Sequence, residues 1–297
     1  MSVIAAFNIK GGVGKTATAI NLSYLSARNE QETLLWDLDP QGASSFTLRT
    51  RTRIRGGGRR VIQGRVVLDD LIRGSDFAHL DVVPADLSNR KMEHALGASD
   101  DSKDAFLSAL RPAVEQYDHV FLDCGPHLSE LSECIFSAAD ALVCPTIPTP
   151  LSLRTLAQLM KHLKKRSGHR PLVLPFFCMV DRRKALHRDT CNWVFDQDLG
   201  FLDSTIPYSS IVEQMSAKRA PLFEYAQRSR PARAYQALWD EVQSRLACGE
   251  RPSTYAKTTR QALEQAARNG DRSAGHSWFR RKPDTRMGSQ PSSEDRR

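Results

Sequence analysis

Much of what would mark a membrane, secreted or metal-thiolate protein is missing from these 297 residues. No run of about 18 apolar residues occurs, so no transmembrane helix is expected. No basic stretch precedes an apolar one at the N-terminus, so no secretory leader is expected. The six cysteines, at positions 124, 134, 144, 178, 191 and 248, form no C-x-x-C pair. They suggest reduced thiols, with neither a disulfide framework nor a zinc site. Acid is also scarce where base is dense. Residues 49–66 hold seven arginines and no acidic residue, and residues 250–297 hold eleven Lys/Arg against six Asp/Glu. The net charge of +8 therefore resides in two appendages, and the remainder is net acidic. An anionic partner would meet those appendages before the core.

What is present is organised around one stretch. Ile4-Ala-Ala-Phe-Asn-Ile-Lys10-Gly-Gly-Val-Gly-Lys15-Thr16 passes from an apolar run through a glycine-rich turn into an amphipathic helix reaching about Arg28. A phosphate-binding loop needs this strand–loop–helix context: glycines let successive N–H groups face one concavity, and the helix start adds partial positive charge. Gly11, Gly12, Val13, Gly14 and Ala17 would contribute backbone to that cradle. Lys15 would reach the β- and γ-phosphates, and Thr16 would hold Mg²⁺. Where the ordinary loop begins with glycine this chain has Ile9, followed by a second lysine, Lys10.

Apolar strand-like runs alternate with helical segments, which argues an α/β fold with a doubly wound, mostly parallel sheet and helices on both faces. Thr33–Asp37 runs up to Asp37-Leu-Asp39-Pro-Gln-Gly42, two carboxylates at the C-terminal end of a strand, the edge where such sheets bind ligands. His79–Ala85 is a further strand, with helices near Ser88–Leu96 and Ser102–Gln116. Tyr117–Pro126 delivers Asp123 at the end of an apolar strand, and 141–145 and Leu172–Val180 supply two more. A helix beginning near Pro150 ends in the basic run Lys161–Arg166, which suits a helix C-terminus without any ligand.

The loop Lys10-Gly-Gly-Val-Gly-Lys15-Thr16 resembles the deviant Walker A loop of the ParA/MinD family of ATPases, closest to the ParA/Soj partition proteins. Asp37-Leu-Asp39-Pro-Gln-Gly42 and Asp123-Cys-Gly-Pro126 are similar to the family's next motifs in order. The resemblance implies a P-loop NTPase fold, ATP and Mg²⁺ as ligands, and catalysis by Lys10, Lys15 and Asp39. Asp39 would orient the attacking water. Thr16, Asp37 and Asp123 would serve the metal. It also implies a homodimer when ATP is bound, with Lys10 crossing to the partner's nucleotide. Asp181 and Pro207 fall where the family places its adenine-side segments. Two departures stand out: Gly125 where the family has proline, and Tyr208 where it has arginine.

The resemblance covers residues 1–247, read as one ATPase domain. It omits the arginine-rich insertion 49–66 and the tail 248–297. The insertion has two basic, β-prone arms flanking glycines, so a hairpin is expected. It would contact phosphates or an acidic partner, or be a solvated loop. The tail reads as basic and largely disordered, with one short helix at Tyr255–Arg268 and one sticky patch at Trp278–Lys282. In ParA-type proteins the closing region binds DNA nonspecifically, which points to Lys218, Arg219, Arg228, Arg230 and Arg233. The implied function is a cytoplasmic, nucleoid-associated ATPase that partitions or positions DNA or another cargo with a ParB-like or cargo-specific adaptor. Two alternatives stay open: a MinD-like positioning ATPase at the membrane surface, and a regulator acting through protein partners. An iron–sulfur carrier of the superfamily would need paired cysteines.

Overall fold

Residues on β1 (Ser2–Ala6) and its continuation alternate strictly: Val3, Ala5 and Phe7 join one apolar cluster, and Ile4 and Ala6 another. β2 (Thr33–Asp37) does the same, with Leu34, Trp36 and Leu38 on one side and Leu35 on the other. A strand that is apolar on both faces must be covered on both, which requires a three-layer α/β arrangement. The computed structural model describes residues 1–50, 57–85, 96, 102–248 and 261–265.

The sheet has eight strands in the order β3-β4-β2-β5-β1-β6-β7-β8. The remaining strands are β3 (Arg73–Gly74), β4 (Leu80–Val83), β5 (His119–Asp123), β6 (Ala141–Thr146), β7 (Leu172–Val180) and β8 (Thr205–Pro207). All neighbours run parallel except the short edge pair β3–β4, which is antiparallel. The doubly wound, mostly parallel sheet expected from the sequence is therefore present.

On the first face lie α4 (Ser102–Gln116), α5 (Glu130–Ala138), α6 (Pro150–Lys165) and α7 (Ala185–Asp196), each contributing buried apolar residues to the cluster that holds Trp36. Phe106 of α4 stacks on Trp36 with ring centroids 5.6 Å apart. The second face is covered by α1 (Lys15–Arg28), α8 (Ser210–Lys218), α9 (Leu222–Tyr225) and α10 (Arg230–Cys248). Trp239 of α10 packs over Phe121 of β5 at 5.6 Å. The five-residue α2 (Ala43–Thr47) follows the β2 loop directly.

β1 and β6 separate just beyond Ala6 and Val143, their last register partners. Phe7 N–H still donates to Val143 O at 3.1 Å, and then the Asn8 side chain donates to Pro145 O at 2.8 Å. Pro145 lies past the paired segment, so its missing N–H costs the β1–β6 ladder nothing. The glycine loop leaves the sheet through this splay.

The insertion departs from its expected hairpin. Residues Gly57–Ile62 form a helix, α3, and Val61 is buried in the first cluster with Ile62 and Val66 against it. Two separate basic strands would have left these apolar side chains with no face to cover. As a helix turn they pack into the core beside Leu68 and Leu71 of the 3₁₀ turn Leu68–Leu71. The basic arm at 51–56 lies outside the described residues, as do Trp278–Lys282 and the expected helix at 88–96, except Leu96. Of the tail, residues 261–265 are helical, and Leu263 is fully buried in the same cluster. That piece of the tail packs on the core.

Because Val61 fills core space, Val61→Ala should destabilise the protein by about 1–3 kcal/mol. Arg60→Ala, at an exposed neighbour, should stay within about 0.5 kcal/mol. Urea midpoints for the two variants check this, and equal midpoints would contradict an anchored insertion.

Candidate functional site

The glycine loop sits at the C-terminal edge of the sheet, between the ends of β1, β5 and β6. Asn8 organises it: besides holding Pro145, its side-chain oxygen accepts Lys10 N–H at 3.0 Å. Gly14 closes the loop with φ +98°, and a Cβ there would come within 3.0 Å of Cys178 Sγ on β7. Glycine is required at this position both by dihedral and by space. Gly12 also has positive φ, but a Cβ on it would meet nothing within 4 Å. Gly14 O accepts Thr18 N–H and the Thr18 hydroxyl at 2.9 and 2.8 Å, so α1 starts directly from the turn.

Lys15 and Lys10 take different places. Lys15 is 7% exposed and donates from Nζ to Lys10 O at 3.2 Å, arching back over the loop. Burial lowers its pKa, and the carboxylates of Asp123 and Asp39 oppose that shift. Lys10 Nζ instead donates to Ser152 Oγ at 3.0 Å, at the buried start of α6. Nothing in the sequence pattern around Ser152 signals this partner.

Asp37 and Asp123 are direct register partners on β2 and β5, and both are fully buried. Burial raises the pKa of each carboxyl above its ordinary value. The Asp123 charge pushes Asp37 further up. Two serines of α2 hold them. Ser44 Oγ donates to Asp123 Oδ2 at 2.6 Å. Ser45 donates to Asp37 Oδ2 from both N–H and Oγ, at 2.8 and 2.7 Å. Neither serine belongs to a motif legible in the sequence, where two hydroxyls shortly after Asp39-Pro-Gln-Gly42 are the available signal. The Thr16 hydroxyl lies beside Asp123 and lowers its pKa, while Asp123 Oδ1 is buried with no hydrogen-bond partner of good geometry. A hydroxyl, a buried carboxylate and a nearby concavity of N–H groups fit Mg²⁺, a hard cation that keeps several waters and shares phosphate oxygens.

Asp39 is partly exposed and accepts Gln41 N–H at 2.9 Å through Oδ1. It borders a cavity of about 360 Å³ that Phe7, Leu38, Cys124, Pro126, His127 and Ile135 help to line. Gly125 needs no glycine: its φ is not positive, and an added Cβ meets nothing within 4 Å.

At the other side, Asp181 directly follows β7, and Pro207 ends β8 beside Val180. The Arg183 fork bonds both oxygens of Asp181 at 2.9 and 3.0 Å and draws its pKa down to about 2. Tyr208, next to Pro207, is 53% exposed.

The five basic candidates form two groups. Arg219, at the end of α8, places its guanidinium 4.7 Å over the exposed Phe46 ring and donates to Phe46 O at 3.0 Å. Arg49 donates to Arg219 O at 2.9 Å, so the first arginine of the insertion joins Lys218 and Arg219. Arg228, Arg230 and Arg233 are exposed around the N-terminus of α10, whose first turn has no acidic residue. Cations there oppose the helix dipole, unlike those closing α6.

Two outcomes follow from this geometry. Gly14→Ala should cost about 1–3 kcal/mol, from left-handed strain and the Cys178 contact, whereas Gly125→Ala should be near neutral. Thermal unfolding of both variants checks the contrast. The second concerns pH in EDTA. Burial raises the folded-state pKa of Asp37 above its unfolded value of about 4, so above that pH the folded chain binds more protons there than the unfolded chain. This residue's contribution therefore favours folding at low pH and is lost as pH rises above that value. Asp37→Asn should show a flatter fall in melting temperature than the wild type, and parallel curves would refute the assignment.

A family model described as an AAA domain matches residues 1–170. The chromosome partitioning protein ParA of Caulobacter vibrioides is 34% identical over 257 residues, covering 82% of this chain and 95% of the relative. The chromosome-partitioning ATPase Soj of Thermus thermophilus is 34% identical over 254 residues, covering 82% and 96%. The solved structure of a putative plasmid partition protein from Borrelia burgdorferi, bound to AMPPNP, superposes with a TM-score of 0.71 at 18% identity, covering 82% of this chain and 99% of that one. With the glycine loop, the buried lysine and the paired carboxylates all at one sheet edge, the chain belongs to the ParA/MinD-type family of P-loop ATPases.

Proposed function

We propose that this chain binds ATP with Mg²⁺, hydrolyses it slowly, dimerises in the ATP-bound state and then binds DNA nonspecifically to position DNA or another cargo. The observation that carries the reading is the convergence of Lys15, Thr16, Asp39 and Asp123 around the N-terminus of α1. The loop N–H groups and Lys15 cradle the phosphates. Thr16 and Asp123 would hold the metal, with Asp37 beside Asp123 on the adjacent strand. The cation, when bound, neutralises charge on the β- and γ-phosphate oxygens. Asp39, partly exposed on the turn beside the loop, orients the attacking water. Asp181 and Pro207 flank the base.

Lys10 carries the coupling to assembly. In the single chain it is satisfied by Ser152, so reaching a partner's nucleotide means exchanging that hydrogen bond for a charged one. For DNA, the arginines at the start of α10 support the reading: three cations gathered at the positive end of a helix are stabilised when a phosphate arrives. Lys218, Arg219 and Arg49 supply a second contact group, and dimerisation doubles both. An adaptor of the ParB kind would stimulate turnover, and the protein would reside on the nucleoid. The membrane-surface alternative is weakened by the burial of Leu263, one of the few bulky apolar residues of the tail helix.

The decisive experiment follows nucleotide binding, turnover, mass and DNA shift together. Lys15→Ala should lose nucleotide binding, and Asp39→Ala should bind ATP without turnover. Lys10→Ala should bind ATP yet stay monomeric by light scattering. Arg228→Glu with Arg230→Glu should dimerise on ATP but no longer shift duplex DNA. For the wild type, log affinity for DNA should fall with log salt by roughly 0.9 per phosphate contact. Unaltered hydrolysis in Asp39→Ala would reject the water-orienting role, and no DNA shift by a confirmed ATP dimer would reject the DNA reading.

A further inference from the structure

We propose that Ser44 is a positioning residue for the metal–nucleotide, acting through Asp123 and tying that carboxylate to the loop that carries Asp39. The inference rests on the Mg²⁺–ATP reading above and adds a residue that none of the motifs contains.

Asp123 is fully buried and has two oxygens with different surroundings. Oδ2 receives the Ser44 hydroxyl at 2.6 Å, the short distance expected for an O–H donor on a carboxylate. Oδ1 has no such partner. The Ser44 bond therefore fixes the rotation of the carboxylate and decides which oxygen remains for the cation's shell. Without it, Asp123 could turn either oxygen toward the site, and a buried acceptor would lose its donor.

Ser44 is suited to this by its place in the chain. Asp37 and Asp123 are register partners on adjacent parallel strands, so their side chains leave the sheet on the same side. Two buried carboxyl groups this close each need their own donors. Ser45 is committed to Asp37 through two bonds, and its Oγ also accepts Ala85 N–H at 2.8 Å. Only the adjacent hydroxyl, Ser44, reaches Asp123 from α2.

The helix is also mechanically continuous with the Asp39 turn. Gly42 N–H donates to Asp39 O, and Phe46 N–H donates to Gly42 O, both at 2.9 Å. A Cβ on Gly42, at φ +66°, would meet Ala85 Cβ at 3.4 Å, so Ala85 packs against the joint between turn and helix. The same short helix therefore links the Asp39 turn to the hydroxyl that holds Asp123.

The test measures affinity for a fluorescent ATP analogue across a Mg²⁺ titration, beginning in EDTA, with melting temperature recorded alongside. Ser44→Ala should raise the Mg²⁺ concentration needed for half-maximal tightening by about 10-fold or more. Its affinity in EDTA should match the wild type. Ser44→Thr keeps the hydroxyl and should restore the wild-type Mg²⁺ dependence. If Ser44→Ala does not fold, Ser44→Cys, with its weak donor, is read on the same titration and should show the same shift. An unchanged Mg²⁺ dependence in the variant lacking the hydroxyl overturns the proposal. So does an equal loss of affinity with and without Mg²⁺, which marks a purely structural role. A wild type whose nucleotide affinity ignores Mg²⁺ overturns the reading of the site itself, and this proposal with it.

Discussion

Two carboxylates buried side by side, facing one buried lysine, are the constraint on which the rest of the molecule depends. Asp37 and Asp123 occupy matched positions on β2 and β5, and neither has access to bulk water. Burial disfavours the charged form of an acid and of a lysine alike. In the absence of ligand, the pair is therefore held at a cost that only hydrogen bonds and the opposite charge of Lys15 offset. Ser44 and Ser45 provide those bonds, and the Thr16 hydroxyl beside Asp123 favours its ionised form. A cation held between them would relieve the same tension, because positive charge favours the ionised form of both carboxyls.

The sheet exists to hold that arrangement still. The central strands are packed on both faces by helices, and the largest buried side chains, Trp36 and Trp239, press on opposite layers. A parallel sheet brings every strand's C-terminal end to one edge, so loops from β1, β2, β5, β6 and β7 meet without long excursions. Cys178 of β7 lies under Gly14, and Ser152 of α6 anchors Lys10. Elements far apart in sequence thus constrain a loop of a few residues. The result is preorganisation: the N–H groups and Lys15 are in place before any phosphate arrives.

Charge is partitioned with equal consistency. Asp37 and Asp123 are inside, while Arg49, Arg228, Arg230 and Arg233 are exposed, where water screens them. Arg49, Lys218 and Arg219 meet at the edge of α2, next to the exposed Phe46. Because α2 also carries Ser44 and Ser45, one short helix has the metal-side carboxylates at its start and a basic surface at its end. The donors to both buried carboxyls and the border of a basic surface therefore share one short element.

Sequence alone determined a good deal of this protein. The glycine loop, the strands ending in Asp37 and Asp123, and the helices Lys15–Arg28 and Ser102–Gln116 were legible because each is a local pattern: alternation, turn chemistry or a glycine whose dihedral admits nothing else. Tertiary structure decided what local pattern does not encode. Val61 made a helix of the expected hairpin because the core beside α4 offered an apolar face to cover. Lys10 found Ser152 across 142 residues, and Ser44 found Asp123 across 79, because strand register and helix placement brought them together. The hydroxyls of Ser44, Ser45 and Ser152 look ordinary in a sequence. They acquire meaning only when folding removes water from the charged groups beside them, and a buried charge must then take its hydrogen bonds from whatever the fold has put within reach.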